Sequence, residues 1–183
     1  MMTVDGFGVQ VDVSGPDDGY CVVLLGAGQQ PPTSYDALCQ RLHIAGVRTI
    51  VIATDPQLNP KSVMAILDSL DMLCGVLVGD RTGADSAWEL AATRPDRFTG
   101  LVVVDRAHPR VPDPQGVIRN PDCRPVEVNT TALFTTPSER SMANASQRFV
   151  FGDFRLVECS GRRNAAVAIA QLAAEIVLRT STC

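Results

Sequence analysis

What most constrains this chain is a rhythm. Continuous apolar runs at 21–25 (CVVLL), 47–53 (VRTIVIA), 74–78 (CGVLV) and 101–104 (LVVV) are separated by amphipathic stretches. A run without polar alternation marks a strand buried on both faces. Strands joined through helices of this length run parallel, because the chain needs a crossover to return to the same end of the sheet. The first intervening stretch, 34–45, places Leu38, Leu42 and Ala45 on one side, with Gly46 as a C-cap. The second opens on Asn59-Pro60, an N-cap followed by proline at the first helical position. Val63, Ile66, Leu67 and Leu70 then form a helical stripe. The third, 85–93, turns Ala87, Trp88 and Ala91 inward, and residues 9–13 alternate as an outer strand. The expected fold class is α/β: a doubly wound, mostly parallel sheet in three layers, as a single domain over 1–183.

The second half is less regular. Residues 106–130 have no period and carry Pro109, Pro112, Pro114, Pro121 and Pro125, which predicts an irregular loop. A short strand at 131–135, a polar helix at 138–148 and a strand at 154–159 follow. The last helix, 164–178 (NAAVAIAQLAAEIVL), is apolar around most of its circumference. It is therefore expected to be covered by the sheet, with a second subunit or a protein partner as a further candidate cover.

Composition excludes several classes. A net charge of −4 disfavours a nucleic-acid binder. No apolar run approaches the ~20 residues of a membrane span, and no secretory signal is visible at the start, so a soluble cytoplasmic protein is expected. Fifteen arginines against Lys61 alone fit the codon bias of a GC-rich genome. The six cysteines form no C-x-x-C pair and no metal spacing with His43 or His108, so free or buried thiols are expected, with no metal and no cofactor.

Four segments carry a resemblance: GPDDGYCVVLLGAG at 15–28, the segment 45–56, VLVGDRTGA at 76–84, and AATRPDRFTGLVVVD at 91–105. In this order they resemble the α/β-hydrolase superfamily, most strongly over residues 8–110. The resemblance implies a sharp strand-to-helix turn, G-x-nucleophile-x-G, that sets a nucleophile at a helix N-terminus beside oxyanion-binding N–H groups. Here that turn reads Gly79-Asp80-Arg81-Thr82-Gly83. Both glycines are present, but the nucleophile position is Arg81, and a guanidinium stays protonated and cannot attack a carbonyl.

The remaining positions implied by the resemblance depart in the same way. The oxyanion loop, usually His-Gly, is Gly26-Ala27; the acid falls near Glu139; the base falls on Asn164. Residues 149–183 contain no histidine. The expected function is that of a catalytically inactive α/β-hydrolase-fold protein, with Arg81, Glu139 and Asn164 at degenerate triad positions. Such a protein would bind a small anionic ligand or a protein partner. The alternative is an active hydrolase of esterase type with a non-standard catalytic set.

Two readings of Arg81 stand side by side. It could fill a decayed site, paired with Asp80, Asp105 or Glu139, or it could centre an anion site at a helix N-terminus. In a doubly wound sheet the loops at the carboxyl ends of the strands share one rim. Arg81, Arg106, Arg110, Arg140, Arg162 and Arg163 are all expected there. The candidate ligand set is Gly26, Ala27, Arg81, Thr82, Arg106, His108, Arg162 and Arg163. As a general base His108 would have no nucleophile better placed than Ser86 or Ser160. His43 and Trp88 are expected to pack, and Cys159 ends a strand near the rim. Many members of the superfamily insert a lid after the strand ending at Asp105; the interval here is too short for one, so an open, shallow rim is expected.

Overall fold

In the computed structural model, which describes residues 1–3, 6–28, 30–159 and 166–180, seven strands form one sheet. They are β1 (Val11–Ser14), β2 (Tyr20–Leu25), β3 (Val47–Ile52), β4 (Gly75–Asp80), β5 (Phe98–Val104), β6 (Asn129–Phe134) and β7 (Phe154–Glu158). Their spatial order is β1-β3-β2-β4-β5-β6-β7. Only β1 runs antiparallel, paired to β3; every other neighbour is parallel. The apolar runs account for this arrangement. Positions 22–25 of β2, and the middles of β3, β4 and β5, are buried on both sides, as only central strands can be. The edge strand β1 is half exposed and starts two residues later than its alternation predicts.

Helices α1 (Asp36–Ile44) and α5 (Ala166–Thr180) share one face of the sheet, where Val22, Leu24, Val78, Val102, Leu133, Leu42 and Ile176 form a core. The opposite face carries α2 (Pro60–Ser69), α3 (Thr82–Thr93) and α4 (Pro137–Ala145), packed over Val23, Leu25, Leu77, Leu101 and Val103. Asn59 caps α2 by accepting from the Ser62 N–H at 2.9 Å, with Pro60 in the first turn. Gly46 follows α1 at φ 76°, the left-handed conformation that a helix C-terminus favours. Ala45, expected on the buried side of α1, is exposed just past its end; Cys39 is buried instead.

From β2 the chain crosses to β3 on one side, then back over β2 to β4 on the other. The helices after β2 and β4 therefore lie on opposite faces, and a crevice opens between the carboxyl ends of these two strands. That reversal point is where doubly wound sheets bind ligands.

Residues 106–128 hold no helix or strand, as predicted, but they do not lie over the crevice. They fold back against α3 and α4, held by Asn120 Nδ2 to Glu89 at 2.6 Å and by the His108 N–H to Ser146 Oγ at 2.9 Å. On helix α5 of the single chain, Val167 and Leu178 are exposed, while Glu175 and Arg179 are buried. Arg179 lies beneath the sheet and donates to Thr131 Oγ1, the Thr130 carbonyl and Asp153 at 2.8–2.9 Å.

Candidate functional site

The turn from β4 to α3 is built as the glycine spacing requires. Arg81 sits at φ 49°, ψ −108°, a conformation that L-residues rarely adopt and that costs on the order of 1–3 kcal/mol. Gly79 and Gly83 permit it. A methyl group on Gly79 would collide with Ala84 and Ala87 of α3, and one on Gly83 with the Leu25 and Gly26 carbonyls. The Arg81 N–H donates to the Val104 carbonyl at 3.0 Å, tying the turn to the neighbouring strand. Helix α3 therefore starts at Thr82, three residues earlier than its apolar periodicity suggests.

The places flanking this elbow are filled by the chain's own groups. Tyr35, at the end of a 3-10 turn (Pro32–Tyr35), lays its ring over Gly26, where a Cβ would come within 2.9 Å of it. Its hydroxyl accepts from the Ala27 N–H at 2.7 Å and donates to Asp80 at 3.0 Å. Burial, reinforced by the Asp80 charge, pushes the phenol above its usual range and keeps it neutral. The Gly28 N–H donates to Thr82 Oγ1 at 2.7 Å, and the Gly26 N–H to the Ile52 carbonyl at 3.2 Å. Thr54 Oγ1 closes the loop by donating to the Gly26 and Gly28 carbonyls. Gly26, Ala27 and Thr82, expected to face a ligand, thus spend these hydrogen-bonding groups on Ile52, Thr54, Tyr35 and Gly28.

Arg81 differs from them. Its side chain is 48% exposed, and Nε lies 3.8 Å from Asp80 Oδ1. That is an ion pair without a hydrogen bond. No partner for its terminal Nη fork occurs among the described residues.

The other expected site residues disperse. His108 is in the core rather than on the rim, fully buried with its ring stacked 4.6 Å from Phe149 and edge-on to Trp88 at 5.1 Å. Its Nδ1 accepts from the Arg110 N–H and its Nε2 faces the Arg124 carbonyl at 3.1 Å, so both nitrogens are used. Burial pushes its pKa down to about 4. Arg106 is turned onto Asp85 of α3, which also holds Arg119. Arg110 stacks on Phe149 and Arg140 over Phe134. Among the described residues, Arg81 is the one arginine lining the crevice. Arg162, Arg163, Asn164 and Ser160 lie outside the described residues. His43 packs against Thr49 at 2.9 Å and Trp88 is core, as expected.

Glu139 serves a helix. Thr136-Pro137-Ser138-Glu139 is a capping box: the Glu139 N–H donates to Thr136 Oγ1 at 3.3 Å, and Thr136 Oγ1 donates to the Glu139 carboxylate at 2.8 Å. Thr135 Oγ1 joins Glu139 to Asp105, which itself stands at φ 50°. Burial raises the Glu139 pKa, but hydrogen bonds from Thr136, Asp105 and Thr135 outweigh it, and the carboxyl ends below its usual value. No three His, Cys, Asp or Glu side chains gather as a metal site among the described residues.

Beside Arg81 the crevice deepens into a cleft of about 640 Å³, entering between the sheet and helices α1 and α5. The expected shallow rim is therefore corrected. Buried Leu24, Val78, Val104 and Leu133 form its floor, and Ile169 and Leu172 of α5 one wall. Tyr35, which also lines this cleft, belongs to no period or motif; only its position after the Gly26-Ala27 loop points to it.

Solved structures share this architecture end to end. A hydrolase from Pseudomonas aeruginosa PA01 superposes with a TM-score of 0.77 at 14% identity, covering 100% of this chain and 97% of the other. The enol-lactonase from Burkholderia xenovorans LB400 gives 0.75 at 13% identity, over 94% and 96%. Epoxide Hydrolase A from Mycobacterium thermoresistibile gives 0.74 at 12% identity, over 93% and 94%. The chain has the α/β-hydrolase fold. No protein-family model matches the sequence, and no curated protein matches it. Within the α/β-hydrolase fold, the turn after β4 is the elbow that carries a nucleophile in active hydrolases. In this chain the turn after β4 has Arg81 at its centre. No helix among the described residues is long and apolar enough to cross a membrane.

Proposed function

We propose that this α/β-hydrolase-fold chain performs no triad hydrolysis and instead binds a small anionic ligand at Arg81. One observation carries the reading: the nucleophile's seat holds a half-exposed guanidinium, while the adjacent Ala27 N–H is occupied by the Tyr35 hydroxyl. Acyl transfer needs a nucleophile and a pair of oxyanion donors; this elbow carries no nucleophile at its centre, and the loop donor, the Ala27 N–H, is taken by Tyr35. A cation at the start of a helix, beside a ligand-sized cleft, suits an anion. Purified protein is expected to bind acetate or inorganic phosphate saturably, and Arg81→Met to lose that binding.

The second reading, an esterase-type hydrolase with a non-standard catalytic set, is favoured by the enzymes among the structural neighbours. Its candidate nucleophile is Cys159, which lies buried at the cleft. Steady turnover of short-chain activated esters, abolished in Cys159→Ala, would establish that reading. Inertness toward those esters, with anion binding intact, supports ours.

A further inference from the structure

We infer that the ligand is an amphipathic monocarboxylate, its head on Arg81 and its aliphatic or aromatic tail in the cleft between the sheet and helices α1 and α5. This rests on the anion-binding reading above and names the ligand class. Polarity and depth are sorted within the cleft. At the mouth stand Arg81, Gln30 and Ser34, all exposed; the floor is Leu24, Val78 and Val104, each buried. A ligand that is polar throughout would leave the floor unmatched, and one that is apolar throughout would strand the guanidinium. A single charged end joined to a tail satisfies both.

The head is specified further. Arg81 lies 3.8 Å from Asp80 at Nε, without a hydrogen bond, and its half-exposed side chain lines the cleft. The planar fork of a guanidinium matches a carboxylate in two parallel N–H···O bonds. The Asp80 charge opposes a second negative group, but α1, α3 and α5 all begin at this end of the sheet and direct positive dipole ends toward it. One negative charge is tolerated there; a doubly charged phosphate is less well suited. The tail gains from the hydrophobic effect, which tightens binding about three- to fourfold for each methylene buried.

Calorimetric titration of the whole chain with acetate, octanoate, octanol and inorganic phosphate tests this. Octanoate, with six more methylenes than acetate, is expected to bind on the order of a thousandfold tighter, with octanol and phosphate weaker than octanoate. Leu172→Trp, which fills the wall of the cleft, should abolish the octanoate advantage and leave acetate unchanged; Arg81→Met should weaken octanoate to the level of octanol. If acetate, phosphate and octanoate bind equally, the amphipathic ligand is excluded while the anion site stands. If octanol matches octanoate, or no anion binds, the carboxylate head at Arg81 is wrong and the anion-binding reading falls with it.

Discussion

Arg81 and His108 show how far a residue's neighbours decide its role. Arg81 occupies a strained left-handed conformation in which its side chain forms no hydrogen bond to Asp80. Replacing it by glycine removes the backbone penalty, so Arg81→Gly should raise stability by up to about 1 kcal/mol in urea unfolding while eliminating anion binding. His108 is buried neutral with a pKa near 4, below its ordinary 6.5. The unfolded chain therefore binds a proton that the folded one refuses as pH falls from about 6.5 to 4. Stability is lost across that window, on the order of 3 kcal/mol by linkage. The wild type should show this slope in denaturation midpoints, and His108→Gln should flatten it. From sequence order alone His108 belongs on the rim, directly after the strand ending at Asp105. Its true place depends on residues 106–128 folding back onto Trp88 and Phe149, a long-range packing choice with no periodic signature.

At the scale of elements, glycine spacing and capping explain how the turn from β4 to α3 is built. Gly79 and Gly83 allow α3 to start hard against β2 and β4, so Gly79→Ala should destabilise by about 1–3 kcal/mol through overpacking, measurable as a lowered urea midpoint. The helices were legible because Asn59-Pro60 and Gly46 terminate them locally. The buried side of α5 was not. Arg179, polar by type, lies under β5 and β6 and satisfies Thr131, Thr130 and Asp153 with one guanidinium. Binary patterning places such a residue in water and cannot find it. Arg179→Ala should cost about 2–4 kcal/mol, since it leaves buried acceptors unpaired and a space beneath the sheet. Glu139 carries a comparable lesson: its T-x-x-E spacing is a capping box readable from the sequence, and that local role is the one the structure gives it.

For the molecule as a whole, apolar runs with no alternation dictated a central parallel sheet, whereas the order of its strands is a property of the fold that the runs do not encode. The sharp turn after β4 was readable too, because its two glycines and its central arginine lie in one five-residue segment. The Tyr35–Ala27 hydrogen bond was not, because it depends on Tyr35 reaching back across eight residues. Nor was the cleft between the sheet and helices α1 and α5, whose lining is drawn from residues far apart in the chain.

These features converge on an α/β-hydrolase-fold chain with a cation where chemistry would begin. The most direct test is an arginine-side-chain NMR titration of the intact protein with octanoate, run beside an ester-turnover assay on the same sample. A saturable shift of the Arg81 Nε–Hε signal, absent in Arg81→Met, with no ester turnover, is the predicted result. An unmoved Arg81 signal together with steady ester turnover would contradict the account.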